Sequence, residues 1–475
     1  MGLKFQLNTY LNFRKRSKYD IRKKIKLLSP IQVIVYSFVL IILIGTLLLL
    51  LPISVRNPNE HNFFTALFTA VSCTCVTGLS LHDTWSYFSF FGQIVMLSLI
   101  QIGGLGLVSF TTGFTLAVHR KLGLRDIKIM QEGTQGNLAD IPHIIKTVFV
   151  STILFEILGA TLLCLKFVPK YGLKGAWLSV FLAISSYCNA GFDISGFIMP
   201  DSSLMSFNQD KFVLVIISSL IIIGGLGFLV VSDIYNYIIK KLYYKSNNSK
   251  LSLHTKVVLK SNLFLLLAGT ILFFCFEYEN TLSKLNIGNK LIVCLFHSSS
   301  CRTAGLFSFD LSRQYSITKF ISIFLMFIGA SPASTGGGIK TVSFVVLLSV
   351  MGNTLCGKEE AILEGRQINK PTVYRSLAIS TAFVILISAG TLMLTMLEAQ
   401  NPISLIDIIY EVVSAISTTG LSTGITRILS TFSKCLLMLF MFIGRVGPIS
   451  LLLAIIAKKN NNKYRTLPEG KLIIG

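Results

Sequence analysis

Two kinds of apolar stretch alternate along the chain. Ile31 to Leu51, Val148 to Val168, Phe212 to Val231 and Ala378 to Leu397 are nearly uninterrupted. As helices, each is long enough to cross a hydrocarbon core of roughly 30 Å. Shorter amphipathic stretches lie between such spans: Phe63 to Ser72, Ala176 to Ser186, Leu291 to Ser300 and Leu405 to Ala415. Their length suits a re-entrant half-helix better than a crossing. Non-helical backbone at membrane depth survives only where it lines a watery cavity, so the loop that follows each half-helix is predicted to face one.

Those loops repeat. They read Val76-Thr77-Gly78-Leu79, Asn189-Ala190-Gly191-Phe192, Thr303-Ala304-Gly305-Leu306 and Thr418-Thr419-Gly420-Leu421, with glycines 113, 114 and 115 residues apart. Unrelated turns do not keep such a period, so the chain is read as an internal repeat. The predicted fold is an all-α membrane protein of four tandem span–pore-loop–span repeats around a central pore. A basic tail, 1–30, precedes repeats at 31–118, 141–240, 254–350 and 372–457, and a second tail covers 458–475. Glycine permits positive φ and close backbone approach, so carbonyl oxygens can replace the hydration shell of an ion. Each half-helix ends at the loop with the negative end of its dipole, which favours a cation.

Composition agrees with lipid. The 475 residues are 52% hydrophobic and 13% charged, against about 25% charged in soluble domains. The net charge of +22 changes the picture only through its placement: 30 of the 43 Lys and Arg fall in 1–30, 117–146, 238–260, 340–375 and 458–475. Positive loops stay cytoplasmic. The alternation therefore predicts both termini inside and eight full crossings, and it removes the nucleic-acid reading. The cluster Arg14, Lys15, Arg16, Lys18, Arg22, Lys23 and Lys24 anchors the first span and offers contacts to anionic membrane lipid. No small-residue cleavage site follows that span, so no removable leader is expected. Of the nine cysteines, Cys73, Cys75, Cys164, Cys188, Cys275, Cys294 and Cys435 read as small buried hydrophobes, and the pair Cys73 and Cys75 lacks the spacing of a metal pair.

After each loop comes a small-residue segment: Gly103-Gly104-Leu105-Gly106, Gly224-Gly225-Leu226-Gly227, Gly329-Ala330-Ser331-Pro332 and Gly444-Arg445-Val446-Gly447. These lie 25, 33, 24 and 24 residues beyond the loop glycines, so repeat two carries extra outer chain. The first two read as close helix packing; no βαβ pattern supports a dinucleotide site there. The third continues as Ala333-Ser334-Thr335-Gly336-Gly337-Gly338 and packs too many helix breakers to stay helical, so the span is predicted to break there. Arg445 is the one Arg inside the span Leu436 to Ala457. Intramembrane charges face a pore or a partner and are functional by default; the bland alternatives for Arg445 are snorkelling and a structural bond to loop carbonyls. Asp83, Asp193 and Asp310 follow three of the glycines. They read as an attractive outer vestibule or as solvated loop carboxylates.

At these loops the sequence resembles the Trk/Ktr/HKT superfamily of potassium transporters, whose chain carries four degenerate copies of the potassium-channel pore motif. The resemblance runs from about residue 31 to residue 457 and is closest to the Ktr membrane subunit. Leu306 is a departure, standing where Phe is common. The resemblance implies a pseudo-fourfold filter made by Val76, Thr77, Gly78, Asn189, Ala190, Gly191, Thr303, Ala304, Gly305, Thr418, Thr419 and Gly420. It also implies an intramembrane gate at 329–338 (Gly329, Ala330, Ser331, Pro332, Ala333, Ser334, Thr335, Gly336, Gly337 and Gly338), with Arg445 as a barrier beneath the filter. It implies potassium as the transported ion, held only by filter carbonyls, with sodium as a candidate activator and no cofactor in this chain. Four glycines favour potassium over sodium, while the missing second channel-motif glycine points to weaker selectivity than in a true channel. The implied partners are a second copy of the chain and a cytosolic nucleotide-binding regulatory ring, at the plasma membrane. The alternative is a sodium-coupled or less selective monovalent cation symporter, with Glu156 as its main midplane carboxylate. No nucleophile, metal or phosphate-cradling constellation supports an enzyme.

Overall fold

A computed structural model describes residues 30–106, 141–242, 250–358 and 360–456. The basic tail up to Ser29, the tail 458–475, the end of repeat one at 107–118 and most of the basic stretch 117–146 lie outside the described residues.

Fifteen helices of nine or more residues are described. Repeat one has α1 (Pro30–Leu50), the half-helix α2 (Phe63–Cys75) and α3 (Phe90–Leu105). Repeat two has α4 (Ile141–Tyr171), the half-helix α5 (Leu173–Tyr187), α6 (Lys211–Leu226) and α7 (Phe228–Leu242). Repeat three has α8 (Leu253–Glu277), the half-helix α9 (Ile287–Ser300), α10 (Ser316–Ile328) and α11 (Thr341–Leu355). Repeat four has α12 (Lys370–Leu397), the half-helix α13 (Leu405–Ile416), α14 (Thr431–Val446) and α15 (Pro448–Ile456). A two-stranded hairpin, β1 (Ile362–Leu363) with β2 (Arg366–Gln367), joins the third repeat to the fourth.

Polar side chains set several starts. Asn62 accepts from Phe64 N at α2, Ser89 from Gly92 N at α3, and Asp210 from Phe212 N and Val213 N at α6. Ser252, Ser404 and Ser430 do the same at α8, α13 and α14. Each satisfies an amide that the first helical turn leaves unpaired.

Burial separates the two helix classes. Phe68 on α2, Phe181 and Tyr187 on α5, Phe296 on α9 and Tyr410 on α13 are among the largest fully buried side chains. The half-helices are therefore the core. By contrast, α1, α4, α8 and α12 are 20 to 28 residues of apolar span whose outward faces are exposed, through residues such as Leu47, Leu158, Phe264 and Met396. Lipid is the solvent that suits those faces.

The second spans of repeats two, three and four correct the expectation of eight unbroken crossings with one interruption. Each stops at a glycine with positive φ: Gly227 (+94°), Gly329 (+60°) and Gly447 (+91°); in repeat one the described helix ends at Gly106 (+75°), the last described residue of that stretch. The expected span Phe212 to Val231 is bent by 97° between α6 and α7. The expected span Leu436 to Ala457 divides into α14 and α15, with Pro448 opening the second piece. A side chain at φ near +90° is strained, so glycine is what lets these breaks form.

The two ends of the bundle are distinguished by ion pairs. Lys260, near the start of α8, meets Glu364 at 2.5 Å and ties that end of α8 to the hairpin before α12. Arg427 meets Asp201 at the opposite end, beyond the glycine loops.

Candidate ion-translocation site

The four glycine loops are built alike by local hydrogen bonding. Thr77 N donates to Ser72 O (2.8 Å), Ala190 N to Ser185 O (2.8 Å) and Thr419 N to Ser414 O (2.8 Å), each closing the turn at the end of a half-helix. Serine hydroxyls add a second tie. Gly78 N donates to Ser72 Oγ (3.1 Å) and Gly420 N to Ser414 Oγ (3.0 Å), while Ser185 Oγ donates to Phe192 O (2.6 Å). The third loop departs: Ala304 N reaches Ser300 O (2.9 Å), and Ser300 Oγ donates to Leu306 O. Its serine stands five residues before the glycine, where Ser72, Ser185 and Ser414 stand six before theirs.

Two positions per loop carry positive φ. One is the glycine, at +99° (Gly78), +75° (Gly191), +79° (Gly305) and +86° (Gly420). The other lies two residues earlier, at Val76 (57°), Asn189 (57°), Thr303 (76°) and Thr418 (51°). Left-handed backbone at a β-branched residue costs on the order of 1–3 kcal/mol and persists where its surroundings impose it. Such strain collects at functional sites. Four copies in one register mark these loops as shaped for more than a turn.

Together the glycines close a ring. A Cβ placed on Gly78 would meet Ala190 O at 2.7 Å, and one on Gly191 would meet Ala304 O at 2.9 Å. A Cβ on Gly305 would strike Thr419 O, and one on Gly420 would strike Thr77 O. The order one, two, three, four, one is complete. Each glycine faces the carbonyl of the next repeat with no room for a side chain, so four carbonyl oxygens hold equivalent positions around one axis. Thr77, Ala190, Ala304 and Thr419 are themselves fully buried.

Buried hydroxyl and amide groups line the same region without protein partners. They are Thr77 Oγ1, Thr303 Oγ1, Thr418 Oγ1 and both amide atoms of Asn189. A buried polar group left alone costs free energy, so this lining calls for water or ions.

Beneath the ring lies the broken span of repeat three. Residues 329–340 are non-helical between α10 and α11. A Cβ on Gly336 would strike Thr303 Oγ1 and one on Gly337 would strike Thr418 Oγ1, so the loop lies against the two strained threonines. It is stitched to its neighbours. Ser331 N donates to Gly225 O (3.2 Å), Thr335 Oγ1 to Gly224 O (3.2 Å), and Phe228 N, at the start of α7, to Ala333 O (2.8 Å). Asn262 Nδ2 on α8 donates to Ser331 Oγ (3.0 Å).

Three cations hold this loop. Arg445 donates through Nη1 to Thr335 O and through Nη2 to Gly103 O and Gly104 O, so it bridges α14, the loop and the end of α3. The structural bond to a loop carbonyl read for Arg445 is thereby present at Thr335 O. Lys340 Nζ donates to Gly336 O (2.6 Å), and buried Arg302 reaches Gly329 O (3.5 Å). Sequence reasoning missed these two. Lys340 opens a basic segment counted only for topology, and Arg302 was passed over between Cys301 and Thr303, although a lone charge beside a strained loop residue was the available signal. The serines that tie the loops were missed as well.

Other residues read from the sequence fall elsewhere. The close helix packing read for the small residues after the first two loops is present, and repeat four shares it: a Cβ on Gly103, Gly224 or Gly444 would strike Thr74 O, Tyr187 O or Ile416 O. Each of those carbonyls stands four residues before a loop glycine, so the broken spans press against the half-helix ends. Asp83, Asp193 and Asp310 cap turns by accepting from Ser86 N (2.8 Å), Ser195 N (3.0 Å) and Ser312 N (3.0 Å). Glu156 accepts from Gln101 Nε2 (3.2 Å) and from Cys188 Sγ (3.7 Å), three residues before Gly191.

A family model described as cation transport protein, TrkH, matches residues 5–466. The chain belongs to the TrkH family. Within it, the chain is 38% identical to the Ktr system potassium uptake protein B of Bacillus subtilis, over 94% of this chain and 97% of that one. It is 34% identical to the potassium/sodium uptake protein NtpJ of Enterococcus hirae, over 96% and 99%. Its fold is similar to the crystal structure of the potassium transporter TrkH from Vibrio parahaemolyticus, with a TM-score of 0.67 at 15% identity, covering 91% of this chain and 86% of that one. This is a family of cation transport proteins, and the enzyme reading ends there.

Proposed function

We propose that this chain is the ion-translocating subunit of a potassium-uptake system in the plasma membrane. The observation that carries the reading is the closed ring of Gly78, Gly191, Gly305 and Gly420, each facing a carbonyl of the next repeat. Carbonyl oxygens in a fixed ring replace the hydration shell of a cation, and the half-helices bring their negative ends to the same place. The filter is Val76-Thr77-Gly78, Asn189-Ala190-Gly191, Thr303-Ala304-Gly305 and Thr418-Thr419-Gly420. The gate is 329–338 with Arg445, joined by Lys340 and Arg302. An ion enters from the side of the Asp201–Arg427 pair, sheds water at the ring and meets the positively charged loop before the cytoplasm.

The Ktr name of one relative supports work with further subunits. A second copy of the chain and a cytosolic nucleotide-binding ring are the proposed partners, the ring acting at the end that holds Lys260 and Glu364. Both termini lie on that side. The departing third loop and the potassium/sodium name of another relative favour a second reading, in which sodium also passes or activates.

Uptake of potassium and of sodium, measured in transport-deficient cells expressing the chain with and without a soluble partner, separates the two. Gly78→Ser, Gly191→Ser, Gly305→Ser and Gly420→Ser are expected to lower the potassium-to-sodium ratio. A side chain at positive φ costs about 1–2 kcal/mol, so the loss is on the order of tenfold. An unchanged ratio in all four variants, each present in the membrane, would falsify the filter assignment.

A further inference from the structure

The extra chain of repeat two lies between Gly191 and α6. There, α6 begins 20 positions after the glycine, whereas α3, α10 and α14 begin 12, 11 and 11 positions after theirs. Its placement is defined by hydrogen bonds to every other repeat. Asp201 N donates to Asp83 Oδ1 of repeat one (3.4 Å). Arg427 of repeat four grips both carboxylate oxygens of Asp201. Leu204 N donates to Phe307 O of repeat three (2.9 Å), and Phe307 N donates to Ser203 Oγ (3.4 Å).

Topology decides what this means. The glycine ring fixes the order of repeats around the axis, so repeat four stands diagonally across from repeat two. Four consecutive residues, 201–204, span no more than roughly 11 Å, yet they bond to repeats one, three and four within seven residues after their glycines. A segment that begins in repeat two and does this crosses the axis above the ring. We propose that residues 198–207 are a strap over the outer mouth, latched by Asp201 and Arg427, and that release of the latch admits cations to the filter. This rests on the proposed pore and its orientation.

The physical chemistry suits a latch that opens. The pair is bidentate but exposed, with 45% of the Asp201 side chain and 38% of the Arg427 side chain accessible. Exposed pairs hold weakly and are screened by salt. Asp201 and Ser203 both have positive φ, 59° and 45°, a conformation held by the bonds at either end. The inner end of the strap is anchored: Leu204 is fully buried and Ser195 Oγ donates to Ser203 O at 2.7 Å. Motion is thereby concentrated at residues 199–202, the part nearest Arg427.

The test reads access and transport separately. A cysteine is introduced at Ser80, two residues beyond Gly78, and its reaction rate with a membrane-impermeant methanethiosulfonate is compared with that of the chain lacking it. Asp201→Asn and Arg427→Gln are expected to raise that rate about two- to fivefold, and raising salt is expected to raise it in the parent but not in these variants. The exchanged pair Asp201→Arg with Arg427→Asp restores the parental rate. Rates within 1.5-fold of the parent in both single variants, or an exchanged pair that behaves like them, overturn the strap. Rubidium uptake is measured on the same cells. An altered reaction rate with unaltered uptake overturns the claim that the latch controls entry while leaving the pore reading intact, because that reading is tested by the glycine variants.

Discussion

Arg445 shows how one side chain ties three pieces of chain. It holds Thr335 O in the loop and Gly103 O at the end of α3. At an effective dielectric near 20, a fixed unit charge about 10 Å from a cation opposes it by about 1.7 kcal/mol. Arg445→Ala is therefore expected to raise potassium uptake on the order of tenfold and to make it less dependent on a soluble partner. Shortening 329–338 acts in the same direction. The two changes should combine to less than their product, since the side chain and the loop form one constriction. Uptake per membrane-inserted protein for the two single changes and the combination is the measurement. If neither single variant exceeds the parent, the loop is a passive kink. Arg445 was legible as a candidate because it is a lone charge in an apolar span. Lys340 was not, because a lysine at the end of a span reads as an anchor until the fold turns it toward Gly336 O.

At the scale of elements, α7 is the piece that runs from the loop to the start of α8, where Ser252 N donates to Asp233 Oδ2 (3.0 Å). It runs at 97° to α6, and its first amide, Phe228 N, donates to Ala333 O. Proline is tolerated at the first position of a helix, where it removes only the amide hydrogen. Phe228→Pro is thus a selective cut of this bond, and Phe228→Ala is its control for the lost ring. Phe228→Pro is expected to raise partner-free uptake by about three- to tenfold, the yield of roughly 1 kcal/mol for one hydrogen bond. Equal uptake in the two variants would show that α7 does not steady the loop. The break itself was hidden in the sequence. Phe212 to Val231 is nearly uninterrupted apolar sequence, and only contact with Pro332 O, which a Cβ on Gly227 would strike, shows why the helix turns.

Across the whole molecule, the repeats are held together by more than the ring. Lys319 on α10 meets Asp407 on α13 at 2.8 Å with little exposure of either side chain, joining repeats three and four. Removing one partner of a buried pair strands the other charge, at a cost of about 3–5 kcal/mol. Lys319→Met is expected to lower the thermal unfolding temperature of the detergent-purified protein, and adding Asp407→Leu is expected to recover most of the loss. Equal destabilisation by the single and double changes would show that the charge pairing is not what joins these repeats. The sequence by itself determined the repeat, its period, the half-helices and the glycine positions, because each follows from local hydropathy and from residues with special backbone freedom. It placed a break in repeat three because small residues and breakers were concentrated there. It could not place the breaks at Gly227 and Gly447, the cations Arg302 and Lys340, or the bonds of repeat two's outer chain to the other three repeats. Those depend on which surfaces meet when four similar units close around an axis. A glycine beside a carbonyl of the next repeat reads the same in one dimension as a glycine beside lipid, and only the closed ring distinguishes them.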